Sequence, residues 1–348
     1  MKIICHVANY QGDFKNGIDV VVDNIVKHSR FENAIYSLCK SSESTISFFQ
    51  LVKTIVSNKN CHVVFHTMYN IKSVLLALLC LTFNAKYSVF PHSSSSCSSQ
   101  TKSKKKKKIF RALILNRVLS NASYINFLNK EELNNSFIPI EYPFLKLEVV
   151  GNGVDLPICN VAKENKIVFL GRYDVHHKGI DTLLASILSS KEIALSFGFK
   201  FELRGVSHSP EDDRFISDYI KDNNMNDFVF VGGSIVGDKE KSKFLSSAKF
   251  YVLTSRYEGL PITVLESLAC GTPVIVSNAT NTGSMVENNM LGFVAEDDVV
   301  SISNRISEAI KTSEDEYLNL STRASKYALD NLSWKLIVEK HDINYEKY

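Results

Sequence analysis

Short apolar runs rich in β-branched residues alternate with helical patterns along the whole chain. The first half contains five such runs, which read KIICHVA, NAIYSL, CHVVFH, KYSVF and SYINFL. The second half contains six more, which read KIVFLG, KFELRG, DFVFVGG, KFYVLTS, TPVIVS and GFVA. Strands that alternate with helices form parallel sheets covered by helices. The sequence therefore predicts an α/β fold with doubly wound sheets.

The alternation is interrupted once, where VVGNGVDLP at 149–157 precedes the polar stretch NVAKENK. A chain of 348 residues is also long enough to bury two medium-sized cores. We therefore expect two Rossmann-like domains, at 1–155 and 156–332, and a final helical segment at 333–348 that packs back toward the first domain. The C-terminal pattern favours three helices, predicted at 299–311, 314–330 and 333–347.

Charge is distributed unevenly between the two halves. The net charge is +3, but residues 1–150 hold 19 Lys and Arg against 9 Asp and Glu, and residues 151–348 hold 21 against 28. The halves therefore carry +10 and −7. This asymmetry favours an anionic surface or ligand as the partner of the basic half, and a chance fluctuation in surface composition is the alternative.

The cysteines and the apolar runs indicate the compartment. Seven cysteines are scattered without a Cys-x-x-Cys pair, which argues against a disulfide framework or a zinc site. No secretory signal precedes the first predicted strand, and the longest apolar run, Val74 to Phe83, spans ten residues where a membrane helix needs about 20. We expect a cytoplasmic protein with reduced thiols.

The stretch FLGRYDVHHKGIDTLLAS suggests an anion site. A predicted strand ends at Gly171, Arg172 follows it, and Lys178 comes just before a helix that begins near Gly179. The free N–H groups and the dipole of a helix N-terminus favour an anion, and Arg and Lys are the usual side chains that hold phosphate. Two solvated cations after a strand remain the alternative.

The stretch YEGLPITVLESLACGTPVIV places two glutamates around the start of a helix. Pro261 suits a first helical turn and Gly271 a helix end, so Glu258 lies in the loop before the helix and Glu266 lies inside the helix. Carboxylates accept hydrogen bonds only, which suits paired hydroxyls of a sugar or ribose. Glutamates on a solvated helix face are the alternative.

Together these motifs resemble the retaining glycosyltransferases of family 4, which have the GT-B fold of two facing Rossmann-like domains. The resemblance covers nearly the whole chain. Its other elements are the NGVD connector at 152–155, the dipeptide Pro91-His92 after a strand, and a glycine, Gly17, ahead of the first helix. Three positions depart from the family pattern, namely Asn16, Ser93 and Cys61.

The resemblance implies a role for each site residue. Arg172 and Lys178 bind the donor diphosphate, Glu258 contacts the transferred sugar, and Glu266 accepts from the ribose hydroxyls. His92 sits near the anomeric centre as a fourth catalytic residue. The remaining donor-binding residues are Gly17 at the diphosphate, Gly232 and Gly233 near the base, and Gly259, Leu260, Pro261 and Ile262 around the sugar and phosphates.

The resemblance further implies transfer of a hexose, with retention of configuration, from a UDP- or GDP-sugar to a saccharide or lipid-linked saccharide acceptor. Assembly of a surface polysaccharide, such as O antigen or capsule, is the expected setting. We expect no metal and no cofactor, and the acidic run at 211–213 reads as favourable charge at a helix start.

A non-catalytic nucleotide-sugar or glycan-binding protein and a nucleotide-sugar epimerase remain alternatives, because fold does not fix function. A dehydrogenase is disfavoured, since no G-x-G-x-x-G follows the first strand.

Six lysines in the range Lys102–Lys108 precede an apolar segment. Lysines near an anionic leaflet contribute about 1 kcal/mol each, so this run predicts peripheral binding at the inner face of the cytoplasmic membrane. A solvated loop without any membrane role is the alternative. Nucleic acid is not expected as a partner, because the lysines lack interleaved aromatic residues and the second half is acidic.

Overall fold

A computed structural model describes residues 2–12, 17–39, 44–57, 60–96, 110, 114–156 and 159–348. The chain divides into two compact units. Unit 1 contains Met1–Gly153 together with Trp334–Tyr348, and unit 2 contains Val154–Ser333. The final helix is therefore part of unit 1, although 180 residues of unit 2 separate it from the rest of that unit in sequence.

Unit 1 is built on a parallel six-stranded sheet with the order β2-β1-β3-β4-β5-β6. Its strands are β1 (Ile3–Ala8), β2 (Glu32–Ser37), β3 (Cys61–Phe65), β4 (Lys86–Val89), β5 (Tyr124–Phe127) and β6 (Leu147–Val149). Its helices are α1 (Gly17–His28), α2 (Phe48–Ser57), α3 (Ile71–Thr82), α4 (Asn116–Ser120), α5 (Lys130–Asn134), α6 (Ile138–Glu141) and, at the C-terminus, α15 (Trp334–Lys347). All residues of β3 and β5 are buried, as expected for parallel strands covered on both faces.

Unit 2 carries the second parallel sheet, with the order β12-β11-β10-β7-β8-β9. Its strands are β7 (Glu164–Leu170), β8 (Lys200–Arg204), β9 (Val229–Gly232), β10 (Ala248–Leu253), β11 (Val274–Ser277) and β12 (Gly292–Ala295). Its helices are α7 (Ile180–Ser189), α8 (Lys191–Ser196), α9 (Pro210–Asp222), α10 (Asp238–Ser247), α11 (Ile262–Ala269), α12 (Gly283–Asn288), α13 (Val299–Lys311) and α14 (Glu314–Asn331). The predicted doubly wound α/β architecture is thus confirmed for both units.

Local sequence signals set the ends of several helices in unit 2. Ser209 caps α9 by accepting from the backbone N–H of Asp212, and Pro210 follows at the first helical position. Asp298 and Ser313 cap α13 and α14 in the same way. The three helices predicted near the C-terminus are confirmed to within one residue at each end. Pro261, in contrast, precedes α11 as its N-cap, with φ −67° and ψ 120°.

The last helix is anchored at its first residue. Trp334 is buried and lies against Gly153, where an added Cβ would come within 2.7 Å of the indole ring. Only glycine leaves room for this ring at position 153 of the NGVD connector. Farther along α15, Asp342 accepts from the backbone N–H of Arg30 at 2.9 Å and from the Ser29 hydroxyl at 2.7 Å. None of the helices in the described ranges is both long and apolar enough to cross a bilayer.

The turn into α7 depends on a glycine. Gly179 has φ +63°, and a Cβ added there would lie 2.2 Å from the carbonyl oxygen of Thr254 at the end of β10. Gly198, before β8, has nearly the same backbone angle, φ +67°, but no described atom lies within 4 Å of an added Cβ. Both glycines therefore adopt the left-handed conformation, but only Gly179 lacks space for a side chain.

We predict that Gly179→Ala destabilises unit 2 much more than Gly198→Ala. The left-handed conformation costs an alanine about 1–2 kcal/mol at either position, and the backbone clash should add roughly 2 kcal/mol or more at Gly179. Urea unfolding followed by far-ultraviolet circular dichroism measures both losses. Equal losses for the two variants would contradict the proposed close approach of Gly179 to Thr254.

Candidate active site

The order of the strands in unit 2 creates a crevice at the carboxyl ends of β7 and β10. These strands are neighbours in the sheet, but the chain leaves β7 toward β8 on one side and leaves β10 toward β11 on the other. Ligands of doubly wound sheets bind at such a switch point. The loop at 171–179 follows β7 and the loop at 254–261 follows β10, so both sequence motifs lie at this point.

Arg256 joins the two loops. Its guanidinium donates to both carboxylate oxygens of Asp181 at 2.9 and 2.8 Å, and to the carbonyl oxygen of His176 at 2.8 Å. Its backbone N–H donates to the carbonyl oxygen of His177 at 2.9 Å. Burial opposes ionisation of Asp181, but the Arg256 guanidinium outweighs burial and lowers the pKa of this carboxyl. A planar two-point contact of this kind fixes geometry as well as charge.

Lys178 and Glu258 meet between the loops. The Lys178 Nζ lies 2.5 Å from Glu258 Oε1, and both side chains are largely buried, with exposures of 16% and 12%. The backbone also holds Glu258 in place, because its N–H donates to the carbonyl oxygen of Ala279 and its carbonyl oxygen accepts from Asn281 Nδ2 at 2.6 Å. The structure thus brings together two predicted site residues that lie 80 positions apart.

His177 and Asp174 complete this network. The His177 ring stacks on Tyr257 with centroids 4.2 Å apart, and its Nε2 lies 3.9 Å from Glu258 Oε1. Asp174 accepts from the backbone N–H of His177 at 2.9 Å and lies 3.5 Å from the Arg172 guanidinium. The side chain of Arg172 is 47% exposed, which leaves most of its donors accessible to an anionic ligand.

Glu266 lies in a separate buried pair. It is the fifth residue of α11, and its carboxylate accepts from Lys241 Nζ on α10 at 2.5 Å. Burial raises the pKa of Glu266 above its usual value, while Lys241 acts in the opposite direction. The ion pair in turn raises the pKa of Lys241 against the effect of its own burial. Glu266 is therefore held on α11 by a cation that is supplied by the preceding helix.

The predicted glycines near the base occupy the end of β9. The Tyr173 hydroxyl donates to the carbonyl oxygen of Gly232 at 2.8 Å, and an added Cβ at Gly232 would come 2.2 Å from the Arg204 guanidinium. At Gly233, no described atom lies within 4 Å of an added Cβ. The backbone here is exposed to an approaching ligand. The other predicted donor-binding residues lie in the β10–α11 turn, where Gly259 and Leu260 precede Pro261 and Ile262 begins α11.

Two predicted residues lie in unit 1. Gly17 is the exposed first residue of α1, and residues 13–16, including Asn16, lie outside the described residues. His92 follows β4 with φ +45°, and Ser93 has φ +65°. Unusual backbone angles at two successive residues with side chains are typical of functional sites. Of the twelve predicted site residues, Gly17 and His92 therefore lie in unit 1, and the other ten, including Lys178 and Glu258, lie in unit 2.

Unit 1 contains four buried histidines in addition to His92. His6, His62 and His341 are completely or almost completely buried, and His66 is 1% exposed. Burial lowers the pKa of His6 and of His92 to about 4 and the pKa of His62 and of His341 to about 3, and it lowers the pKa of His66 well below its usual value. These rings are therefore neutral at pH 7.

Sequence reasoning did not identify several residues of the site. Asp174 and His177 lie inside the motif that contains Arg172 and Lys178, so their position alone could have indicated them. Arg256 directly precedes the Tyr-Glu-Gly-Leu-Pro motif, but its partner Asp181 is 75 residues away. Lys241 is one of several charged residues of α10, and nothing in the sequence separates it from its neighbours. Among the described residues, no group of three or more His, Cys, Asp or Glu side chains is placed to hold a metal ion.

Comparisons with known proteins identify the family that part of the chain resembles. Residues 159–329 match the family model of the glycosyl transferases group 1. The MMP alpha-(1->4)-mannosyltransferase of Mycolicibacterium hassiacum is 25% identical over 210 residues, which cover 58% of this chain and 48% of that protein. The UDP-Gal:alpha-D-GlcNAc-diphosphoundecaprenol alpha-1,3-galactosyltransferase of Escherichia coli is 30% identical over 87 residues, covering 25% of this chain and 22% of that protein. The matches thus span about half the length of the first relative and less of the second.

The whole chain is similar to solved structures. The crystal structure of Anabaena HepE in complex with UDP-glucose has a TM-score of 0.78 with this protein at 13% sequence identity, covering 99% of this chain and 100% of that one. At this identity the similarity concerns the fold. The protein has the GT-B fold that the sequence motifs predicted, and residues 159–329 form a glycosyl transferases group 1 domain.

We predict that the stability of unit 1 falls steeply between pH 6.5 and pH 4. The unfolded histidines bind protons near pH 6.5, but the buried ones do not, so acid favours the unfolded chain. Each such histidine contributes up to about 1.4 kcal/mol per pH unit in this window. Burial raises the pKa of the Glu132 carboxyl, so this group favours the folded chain in acid. It is a single group that opposes the effect of five histidines.

Urea unfolding followed by the fluorescence of Trp334 measures this effect, because the single tryptophan belongs to unit 1. The variant His62→Gln removes one titrating group and should reduce the slope by up to about 1.4 kcal/mol per pH unit. A free energy of unfolding that stays constant between pH 6.5 and pH 5 would show that the histidines are charged in the folded state.

Proposed function

We propose that this protein is a retaining glycosyltransferase that moves a hexose from a nucleotide diphosphate sugar to a saccharide acceptor. The observation that carries the proposal is the contact between Lys178 and Glu258 at the switch point of unit 2, with Arg172 exposed in the same loop. In this proposal the two cations bind the diphosphate and the neighbouring carboxylate binds sugar hydroxyls. The match of residues 159–329 to the glycosyl transferases group 1 supports the same reaction class.

Arg172 and Lys178 supply the main catalytic effect in this proposal. Cleavage of the bond between sugar and phosphate leaves negative charge on the departing diphosphate. Two cations held beside that group before the reaction stabilise the charge without further reorganisation. The Arg256–Asp181 contact and the His177–Tyr257 stack hold the loops that carry them, which is the preorganisation that this mechanism requires.

Glu258 binds sugar hydroxyls and does not form a covalent intermediate. Lys178 lies 2.5 Å from its carboxylate, and this positive charge makes Glu258 a poor nucleophile. With no other predicted nucleophile, the acceptor hydroxyl attacks from the face that the diphosphate leaves, and a departing phosphate oxygen takes the proton. Attack on this face retains the anomeric configuration.

Glu266 and the glycines after β9 complete the donor site. A buried carboxylate that is held by Lys241 suits two neighbouring ribose hydroxyls. The open backbone at Gly233 suits a base that is recognised by shape and by main-chain groups. UDP and GDP are both accommodated by this scheme, and the names of the relatives point to mannose and galactose as the hexoses to test first.

The acceptor belongs to the assembly of a surface polysaccharide and carries a lipid diphosphate. Support comes from the name of the Escherichia coli relative, which acts on a diphosphoundecaprenol sugar, and from a second relative described as O-antigen chain mannosyltransferase B. A non-catalytic binder or an epimerase on the same fold would also bind a nucleotide sugar. Those alternatives differ from a glycosyltransferase in one respect, because neither releases free nucleotide on addition of an acceptor.

We predict that one UDP- or GDP-hexose raises the melting temperature of the protein and that an acceptor strongly accelerates the release of nucleotide from it. Arg172→Ala should lower kcat by roughly 10²-fold, the scale of one lost preorganised donor. Arg214→Ala is the matched control, because Arg214 is an exposed arginine that pairs with Glu211 on α9, away from the β7 and β10 loops. Normal turnover by Arg172→Ala, or a rate of nucleotide release that an acceptor does not raise, would contradict the proposal.

We also propose that unit 1 docks on an anionic membrane and brings the site to lipid-linked acceptors at the inner face of the cytoplasmic membrane. The lysines of Lys102–Lys108 lie outside the described residues, so their number and sequence carry this proposal. Unit 1 also exposes large apolar side chains, with Phe144 98% and Phe49 82% exposed. Such residues add apolar contact to the electrostatic attraction of a polybasic segment.

We predict that the protein sediments with vesicles that contain anionic phospholipid at low salt and does not sediment with neutral vesicles. Each engaged lysine contributes about 1 kcal/mol, so replacement of Lys104 to Lys108 by glutamine should abolish binding. Equal binding of the two proteins, or no binding of the wild type to anionic vesicles, would remove the proposal. Transfer to a soluble acceptor should be the same for both.

A further inference from the structure

A chain of hydrogen-bonded side chains crosses four neighbouring strands of unit 1. The Nε2 atom of His92 lies 3.0 Å from Nδ1 of His66, and Nε2 of His66 lies 3.0 Å from Nδ1 of His6. Nε2 of His6 in turn lies 3.1 Å from Oδ1 of Asn33. Asn33 is on β2, His6 on β1, and His66 and His92 follow β3 and β4, which is the spatial order of these strands in the sheet. We call these four residues the histidine chain.

Asn33 fixes one end of the histidine chain. Its Nδ2 donates to the carbonyl oxygen of Phe31 at 2.8 Å, so its Oδ1 is the atom that faces His6. A carbonyl oxygen only accepts, and therefore Nε2 of His6 carries a hydrogen. Burial lowers the pKa of His6 to about 4, so this ring is neutral at pH 7 and its Nδ1 has a lone pair.

The same reasoning applies at each following ring. Because Nδ1 of His6 accepts, Nε2 of His66 carries a hydrogen and donates to it. His66 is also neutral, so its Nδ1 accepts from a hydrogen on Nε2 of His92. The neutral His92 then has a lone pair on Nδ1, and none of the described residues donates to that atom. Asn33, at one end of the histidine chain, thereby sets the tautomer of His92, which is the third ring along it.

The backbone of His92 is held as firmly as its ring. The buried carboxylate of Glu132, at the start of α5, accepts from the backbone N–H of Ser93 at 2.5 Å and from the N–H of Leu128 at 2.6 Å. This contact fixes the turn in which His92 and Ser93 both have positive φ. A strained conformation persists only where its surroundings determine it, and here Glu132 and the histidine chain do so from two sides.

We propose that His66, His6 and Asn33 are positioning residues that orient the ring of His92 and keep its Nδ1 unprotonated, so that this atom accepts a hydrogen bond from a substrate hydroxyl. The hydroxyl belongs either to the transferred sugar or to the acceptor. The role of the hydroxyl rests on the proposed function, whereas the direction of the hydrogen bonds does not. His92 thus acts as an acceptor of a hydrogen bond and not as a proton donor.

The direction can be measured on the full-length protein at pH 8 by nuclear magnetic resonance with ¹⁵N-labelled histidine. We expect His6, His66 and His92 all to carry hydrogen on Nε2. Asn33→Ala removes the fixed acceptor and should shift part of the His92 population to the tautomer with hydrogen on Nδ1. Asn33→Asp keeps an acceptor and should restore the original tautomer. His62→Gln, which replaces a buried histidine outside the histidine chain, should leave all three rings unchanged.

The consequence for catalysis is tested with the same variants. Asn33→Ala should lower kcat/KM about tenfold, the scale of one lost hydrogen bond to a neutral group, and Asn33→Asp should recover most of the activity. If the hydroxyl belongs to the donor sugar, acceptor-independent hydrolysis of the donor falls in parallel with transfer. If it belongs to the acceptor, transfer falls and this hydrolysis does not.

Hydrogen on Nδ1 of His92 in the wild type would overturn the inferred direction. Unchanged tautomers in Asn33→Ala, or changed tautomers with unchanged kcat/KM, would overturn the positioning role. If the wild type transfers no sugar from any donor, the proposed function fails and the hydroxyl role fails with it. The tautomer measurement still decides the direction of the histidine chain in that case.

Discussion

Two adjacent parallel strands whose following connections leave in opposite directions must place their next loops side by side, and the candidate site of unit 2 depends on this constraint. β7 and β10 are such a pair, so the loop that carries Lys178 and the loop that carries Glu258 meet although 80 residues separate these side chains. Arg256 then binds Asp181 across the same junction, and Gly179 lets the turn pass close to Thr254. Charge pairing and backbone packing thus fix the same geometry.

The two units treat their buried polar groups differently. Unit 2 pairs charges, with Lys178 on Glu258 and Lys241 on Glu266, so each buried carboxylate keeps a cation within hydrogen-bond distance. Unit 1 also buries neutral rings, because burial lowers the pKa of five histidines. The rings of His6, His66 and His92 bond to one another, and His6 also bonds to Asn33. The charged groups of unit 2 suit the binding of an anion. In the neutral histidine chain of unit 1, by contrast, one residue at the end can set the direction of all the hydrogen bonds.

The strands other than β6 and most helices were predictable because their signals are local, whereas β6 is three residues long and is not fully buried. Buried parallel strands read as apolar runs, and Ser209, Asp298 and Ser313 mark helix starts through contacts only three residues long. The pairs Arg256–Asp181 and Lys241–Glu266 were not predictable, since each joins residues from separate elements. Glu266 was predicted as a site residue, but nothing in the sequence marks Lys241 as its partner, and neither Arg256 nor Asp181 stands out among its charged neighbours. The histidine chain was missed for the same reason, because His6 lies on β1 whereas His66 and His92 follow β3 and β4.

The sequence by itself determined the α/β class, the parallel sheets and the residues around which a site could form, because hydrophobic periodicity and turn chemistry act over a few residues. Only the tertiary structure decided which of those residues touch. It paired Lys178 with Glu258, gave Glu266 a partner in Lys241, and aligned three histidines with Asn33. Strand order produces these contacts, and strand order follows from how whole helices pack on a sheet, which no local stretch of sequence records.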